Sequence, residues 1–161
     1  MRRIHADVRR EGAQLLLGYS LQGDVAGLRL PEFASLQRGE RLWQHSCFEV
    51  FIKPAGPDGA AGYYEYNFAP SGLWAAYRLD GYRAGMRQLP DGAPRFSVQR
   101  QQDGLQLDAR VPLPAGVTAQ LQLGLSAVIE DAAGQLSYWA LRHAPDKPDF
   151  HHADAFALRL S

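Results

Sequence analysis

Hydrophobic and polar residues alternate between Trp43 and Tyr82, and this two-residue period is that of a β-strand, whose successive side chains point to opposite faces. The stretch predicts three consecutive antiparallel strands. The first two strands turn one set of side chains towards a core: Phe48, Val50, Ile52, Tyr64, Tyr66 and Phe68. The opposite face then carries Cys47, Glu49, Phe51, Tyr63, Glu65 and Asn67. Two carboxyl groups and an amide are therefore expected to face outward from an aromatic-rich sheet.

The same period recurs along the rest of the chain, in short runs separated by turn signals. Hairpins are predicted for residues 4–8 with 15–21, 95–101 with 105–111, and 121–130 with 136–142. Further strands are predicted at 28–30, 73–80 and 156–160, with loops at 32–41 and 81–94. About ten to eleven short strands and no convincing helical period indicate an all-β fold, an antiparallel β-sandwich of jelly-roll or immunoglobulin-like type.

Length and composition limit the classes of function. A chain of 161 residues is expected to form a single domain, residues 1–161, that buries about two-thirds of its unfolded surface. Because 17 basic residues balance 17 acidic ones, no long-range field favours nucleic acid or an anionic membrane, and we expect neither as a partner. One cysteine, no secretory signal and no run long enough to span a membrane predict a cytoplasmic protein.

Aromatic residues accompany the predicted polar face, and together they have the composition of a sugar site. A pyranose ring presents C–H groups to aromatic rings and hydroxyls to carboxyl, amide and guanidinium groups. For each aromatic ring, packing in the core or at its rim is the alternative. The candidate ligand-binding residues are Trp43, Glu49, Glu65, Asn67, Trp139, His143, Phe150 and His151.

Three other kinds of site are alternatives to a binding cleft. Cys47 and His45 lie two residues apart and would point the same way, but no third group is evident to orient them. Glu49 and Glu65, on neighbouring strands, have the composition of a glycosidase acid/base pair. The C-terminal loop supplies metal-ligand types at spacings that match no standard zinc pattern: His143, Asp149, His151, His152 and Asp154. Binding is favoured over turnover, and no catalytic residue is assigned.

The chain resembles the bacterial DOMON-like proteins, which are related to family 9 carbohydrate-binding modules. The resemblance covers nearly the whole chain and rests on the blocks CFEVFI (47–52), YYEYNFAPSG (63–72), GLSAVIE (124–130), SYWAL (137–141) and PDFH (148–151). It implies a β-sandwich in which two aromatic rings clasp a terminal sugar while charged and amide side chains bind its hydroxyls. By position along these blocks, Trp43 and Phe150 correspond to the rings, and Glu49 and Asn67 to the polar positions.

The resemblance also bears on cofactors. Sugar-binding members tend to carry acidic residues just before the Glu of the first block, where this chain has His45 and Ser46. Some DOMON relatives hold haem between a Met and a His, and Met86 with His143 or His151 would be such a pair. We expect no cofactor, and calcium and haem are the alternatives that the resemblance implies.

The sequence therefore predicts a non-catalytic domain that binds a small polar ligand, a sugar or sugar derivative, in a cleft with the His151 loop across its mouth. One alternative is a haem-binding DOMON domain. Another is a small cytoplasmic enzyme that uses Glu49 and a His of the C-terminal loop as an acid/base pair. A third is a structural or interaction domain whose aromatic rings are all core.

Overall fold

The alternating stretches form strands in a computed structural model that describes residues 2–55, 62–114, 117 and 120–161. Within those residues the chain has twelve strands, two single-turn 3-10 helices at Leu42–Gln44 and Ala153–Ala155, and no α-helix. The strands are β1 Arg3–Glu11, β2 Gln14–Gln22, β3 Gln37–Arg38, β4 Cys47–Pro54, β5 Tyr63–Phe68, β6 Leu73–Leu79, β7 Arg87–Gln88, β8 Arg95–Gln101, β9 Gly104–Pro112, β10 Leu121–Glu130, β11 Leu136–Ala140 and β12 Leu158–Leu160. None of the described helices is long and apolar enough to cross a membrane.

The strands form two sheets, as predicted. The smaller sheet has the order β1-β2-β9-β8, and the larger has the order β11-β10-β4-β5-β6-β3, with β12 beside β10 and β7 beside β6. Every described pairing is antiparallel except that of β3 with β6, which is parallel. The predicted all-β sandwich is confirmed, with twelve described strands rather than ten or eleven.

The main core lies between the two sheets. The larger sheet contributes the predicted inner faces of β4 and β5, and Phe48, Val50 and Ile52 of β4 are fully buried there. Alternate residues of β10 from Leu121 to Ile129 face the same core, opposite leucines from β2 and β9. Burying one such side chain stabilises the fold by about 1.5–3 kcal/mol, so this layer contributes substantially to the driving force for folding.

The outer face of the larger sheet is covered by a second hydrophobic cluster instead of meeting solvent. Leu42 of the first 3-10 helix and Phe156 near the C-terminus pack there against Phe51, Tyr63 and other side chains of the sheet. Gly124 permits this close approach, because a Cβ at that position would lie 2.9 Å from the carbonyl oxygen of Ala155. Strand alternation predicts which way these residues point, but the covering layer comes from loops that have no period.

The structure differs from the prediction at four short segments, one of which is β7 (Arg87–Gln88), a two-residue strand within the loop predicted at 81–94. Residues 28–30 form no strand: Leu28 makes one isolated bridge to Asp131, and Pro31 then removes the next backbone donor. The loop predicted at 32–41 contains β3, which pairs with the end of β6 over only two residues. The last strand begins at Leu158 rather than at 156, because the second 3-10 helix and its C-cap Phe156 precede it.

Candidate ligand-binding cleft

A cleft of about 340 Å³ opens on the outer face of the larger sheet. We call it the cleft throughout. Its polar lining consists of Glu49, Glu65, Arg83 and His151. Aromatic rings and aliphatic groups form the walls: Trp43, Tyr138, Phe150, Leu79, Met86, Val128 and Pro148. The cleft is thus bounded by adjacent strands below and by three connecting segments above.

The two carboxyl groups reach the cleft because of the register of the central strands. Glu49 of β4 lies opposite Asn67 of β5 on one side and opposite Ser126 of β10 on the other. Glu65 lies two residues before Asn67 on β5, opposite Phe51. All of these side chains point to the outer face, and Glu49 and Glu65 are only 3% and 2% exposed. The floor of the cleft therefore carries two carboxyl groups that are almost inaccessible to solvent.

Each buried carboxyl group has one side-chain hydrogen bond within the described residues. The Cys47 thiol donates to Oε2 of Glu49 over 3.3 Å, and Nδ2 of Asn67 donates to Oε2 of Glu65 over 2.9 Å. Oε1 of Glu65, Oδ1 of Asn67 and Oγ of Ser126 are buried without any hydrogen-bond partner in the described part of the chain. Unpaired buried oxygens are costly, so the floor has spare capacity to accept hydrogen bonds.

Burial makes both carboxyl groups weak acids. It raises the pKa of Glu49 well above its ordinary value, and the nearby charge of Glu65 raises it further, against the opposing effect of the Cys47 hydrogen bond. Burial also raises the pKa of Glu65 to about 7, although the Asn67 hydrogen bond and the Arg83 charge oppose the change. Near neutral pH the pair of floor carboxyl groups, Glu49 and Glu65, therefore retains protons.

His151 closes one side of the floor and is held by Tyr63. The Tyr63 hydroxyl accepts the backbone N–H of Arg83 over 3.3 Å and lies 2.6 Å from Nδ1 of His151. If the hydroxyl donates to Nδ1, the imidazole proton lies on Nε2, which is 3.5 Å from Oε1 of Glu65. Burial, followed by the charge of Arg83, lowers the pKa of His151 to about 4, so the ring is neutral at pH 7.

Asp149 fixes the segment that carries His151. Its carboxylate accepts hydrogen bonds from Arg83 (2.8 Å), from the Tyr82 hydroxyl and from the backbone N–H of His151 (3.1 Å). Burial acts to raise the pKa of Asp149, but the hydrogen bonds from Tyr82 and Arg83 outweigh it and hold the pKa below its usual value. Asp149 therefore stays ionised and compensates the charge of Arg83 in the cleft wall.

Phe51 supports the rings of the C-terminal segment from below. Its ring centroid lies 4.9 Å from that of His151, 6.4 Å from that of Phe150 and 6.2 Å from that of Phe156. Phe150 also meets Tyr138 edge-on at 6.1 Å. Because such ring pairs contribute beyond their buried area, this cluster positions one wall of the cleft.

The structure brings five of the eight predicted site residues to the cleft: Trp43, Glu49, Glu65, Phe150 and His151. Asn67 is fully buried beneath the cleft, where it binds Glu65. Trp139 pairs with Ala127, a core residue, and packs against the main core on the far side of the sheet. His143 stacks on Phe150 at a centroid distance of 6.4 Å and does not line the cleft.

Two important lining residues were not predicted. Tyr138 pairs with Val128 on the outer face, so the alternation that turns Trp139 inward would have selected its neighbour once the register of β10 and β11 was known. Arg83 lies in the loop between β6 and β7 with a positive φ of 51°, a conformation that is uncommon for a residue other than glycine. No periodic signal in the sequence identifies it.

Two of the alternative sites, the nucleophile pair and the metal cluster, are not assembled among the described residues. His45 bonds to Glu130 through Nδ1 over 2.8 Å, whereas the Cys47 thiol bonds to Glu49, so these two residues form no nucleophile pair. Among the described residues, no group of three or more His, Cys, Asp or Glu side chains is arranged to hold a metal ion.

The donor set does not fit haem. Met86 and His151 both line the cleft, but Nδ1 of His151 is engaged by Tyr63, and Nε2 is directed at Glu65. An axial ligand needs one of these nitrogens free and aimed into the pocket. The two buried carboxyl groups would also lie against the apolar macrocycle.

Comparisons with known proteins are consistent with this fold. No protein-family model matches the sequence, and no curated protein matches it. A solved structure from Bacteroides uniformis ATCC 8492, of a protein proposed to bind carbohydrate, is similar with a TM-score of 0.68 at 15% identity, over 96% of this chain and 76% of that one. A carbohydrate binding module of family 9 from Caldicellulosiruptor kristjanssonii, solved in complex with glucose, is similar with a TM-score of 0.50 at 12% identity, over 86% of this chain and 65% of that one. At these identities the likeness shows the fold alone.

Proposed function

We propose that this protein is a non-catalytic binding domain that holds a small sugar or sugar derivative in the cleft. The observation that carries the proposal is the combination of a buried, hydrogen-bond-accepting floor with aromatic walls around a space of about 340 Å³. Small-molecule sites range from about 300 to 1,000 Å³, so a mono- or disaccharide is the class of ligand that suits this size. The descriptions of both structural neighbours as carbohydrate-binding support the same function.

The lining offers each kind of contact that a sugar requires. Oε1 of Glu65 can accept a hydrogen bond from a hydroxyl, while the guanidinium of Arg83 can donate to one. Trp43 and Tyr138 are 37% and 44% exposed, which leaves ring surface free to cover the C–H face of a pyranose. Assignment to the DOMON-like proteins is part of the proposal and rests on the sequence blocks at 47–52 and 63–72.

Replacing Trp43 with Ala is expected to weaken sugar binding by about 2 kcal/mol, or roughly thirtyfold, because a large ring of the wall is lost. Trp139→Ala is the matched control, since that ring lies on the other side of the same sheet. Isothermal titration against a panel of neutral mono- and disaccharides measures the affinity, and thermal melting checks that both variants are folded.

Two results would contradict the proposal. One is an absence of binding to every saccharide, including amino sugars. The other is an equal loss of affinity in both tryptophan variants, which would show that the effect comes from general destabilisation rather than from the cleft wall.

One observation favours an enzyme as the second candidate. A carboxyl group whose pKa lies near 7 beside a neutral imidazole is an acid/base arrangement, and of the two floor carboxyl groups it is Glu65, rather than Glu49, that lies 3.5 Å from the imidazole of His151. Hydrolysis of aryl glycosides by the wild type, lost in Glu65→Gln, would establish this activity. The same assay without turnover would leave binding as the function.

A further inference from the structure

We propose that the ligand of the cleft carries a protonated amine, seated over Glu49 and Glu65, and that the preferred sugar is therefore an amino sugar. The inference rests on the proposed function and names the chemical class of its ligand. Three independent features of the lining support it: its charge, its hydrogen-bonding capacity and its rings.

The charged side chains that line the cleft leave its two floor carboxyl groups without a cationic partner of their own. Glu49 and Glu65 line the floor and are nearly inaccessible to solvent. Among the described residues that line the cleft, Arg83 is the one cationic side chain, and it already contacts the ionised Asp149 over 2.8 Å. His151 is neutral at pH 7. A protonated amine would supply the charge that both floor carboxyl groups need in order to ionise together.

Once Glu49 and Glu65 are ionised, the floor of the cleft has more hydrogen-bond acceptors than donors. Oε1 of Glu65, in the floor, and Oδ1 of Asn67, beneath it, are buried without a donor in the described part of the chain, and of these two residues Glu65 lines the cleft. Nε2 of His151 stands 3.5 Å from Oε1 of Glu65 and makes no hydrogen bond to it. An ammonium group brings three donors and no acceptor, whereas a hydroxyl brings one donor together with its own acceptor oxygen. The ammonium group therefore matches the deficit of the floor better than a neutral hydroxyl does.

The walls add an attraction that is specific to cations. The faces of aromatic rings carry partial negative charge, which attracts a cation held within about 6 Å of the ring centroid. Trp43, Tyr138 and Phe150 border the cleft above the two carboxyl groups. Rings and carboxyl groups in one enclosure are the combination that favours ammonium over neutral ligands.

Titration calorimetry at pH 7 with matched pairs of ligands tests the inference. The pairs are D-glucose with D-glucosamine and D-galactose with D-galactosamine; N-acetyl-D-glucosamine keeps the substituent but removes the charge. In at least one pair the amino sugar is expected to bind at least about tenfold more tightly than its neutral parent, because its hydrogen bonds to carboxylates are charge-assisted. N-acetyl-D-glucosamine is expected to lack this gain.

Variants locate the effect at the floor. Glu65→Gln removes the charge while preserving the size of the side chain, and it is expected to reduce the preference for the amine to less than about threefold. Glu49→Gln is a second variant with the same expectation, and it decides the matter if Glu65→Gln does not fold. An undiminished preference in both folded variants would overturn the placement of the amine.

The outcomes separate the inference from the proposed function. If neutral sugars bind as tightly as amino sugars, the inference is wrong and sugar binding stands. If no sugar binds but 2-aminoethanol does, the cation site stands and the sugar function is wrong. If neither the sugars nor 2-aminoethanol binds, both are wrong.

Discussion

Replacing His151 with Gln is expected to make the free energy of unfolding decrease more steeply as the pH rises. Between pH 4.5 and pH 7 the decrease is expected to exceed that of the wild type by about 3 kcal/mol. Glu65→Gln is expected to have the opposite effect: over the same pH interval its free energy of unfolding changes, relative to the wild type, by about 3 kcal/mol in the stabilising direction. These opposite shifts arise because two neighbouring groups in the cleft both prefer to be neutral, but one is an acid and the other is a base.

The sign follows from the proton uptake of each group. Folding raises the pKa of Glu65 from 4.5 to about 7, so its contribution to stability is full at low pH and is lost as the pH rises through that interval. Folding lowers the pKa of His151 from 6.5 to about 4, so the unfolded chain binds the extra proton and stability increases with pH there. In the wild type the pH dependences of these two contributions largely cancel. Replacing one group therefore leaves the pH dependence of the other uncompensated.

Urea denaturation of the three proteins at several pH values between 4.5 and 7.5 measures these differences. Glu49, whose pKa is raised by burial and further by the charge of Glu65, remains in all three proteins, so His151→Gln isolates one group, whereas Glu65→Gln also lowers the pKa of Glu49 and thereby adds a change in the same direction. Parallel pH dependences in the wild type and both variants would contradict the burial of these groups in neutral form.

Replacing Phe51 with Ala is expected to destabilise the protein by about 3–5 kcal/mol and to abolish sugar binding. The side chain is 1% exposed and lies beneath the rings of Phe150, His151 and Phe156. Removing it leaves a cavity under the cleft wall, so the wall loses both its support and its position. Urea denaturation gives the stability, and calorimetry with the best saccharide of the panel gives the affinity.

Phe48 provides a matched control for Phe51. It lies on the same strand and is fully buried, but its side chain points into the main core. Phe48→Ala is expected to cost a similar free energy of unfolding while leaving the affinity of the folded fraction unchanged. If the Ala variants do not fold, Phe51→Leu and Phe48→Leu make the same comparison with smaller cavities. Equal effects of the two positions on affinity would show that the outer cluster does not shape the cleft.

The faces of the strands could be predicted from the sequence because side-chain direction along a strand is a local property. Phe48 and Glu49 must point to opposite sides wherever β4 lies. The parallel pairing of β3 with β6 could not be predicted, since two residues contain no period. The same limit applies to residues 28–30, where the short alternating run Leu28-Arg29-Leu30 makes only one bridge.

The site residues that lie on strands could be predicted from the sequence, whereas the contributions of the loops could not. Glu49 and Glu65 follow from alternation, but their near-complete burial depends on how the segment around Phe150 and His151 folds back over the sheet. That path is set by the contacts of Asp149 with Arg83 and Tyr82, which lie 66 and 67 residues away in the sequence. Contacts between two loops leave no periodic pattern in the sequence of either loop.

Cys47, whose thiol bonds to Glu49 beneath the cleft, is the one cysteine in the chain. Burial and then the charge of Glu49 raise the pKa of the thiol well above its ordinary value, so the reactive thiolate is scarce while the floor is intact. Alkylation by iodoacetamide therefore requires the floor to open, and its rate reports the frequency of that opening. A compound that binds in the cleft is expected to slow the alkylation of Cys47. Mass spectrometry of the alkylated protein would then detect ligands in crude mixtures whatever their chemical identity.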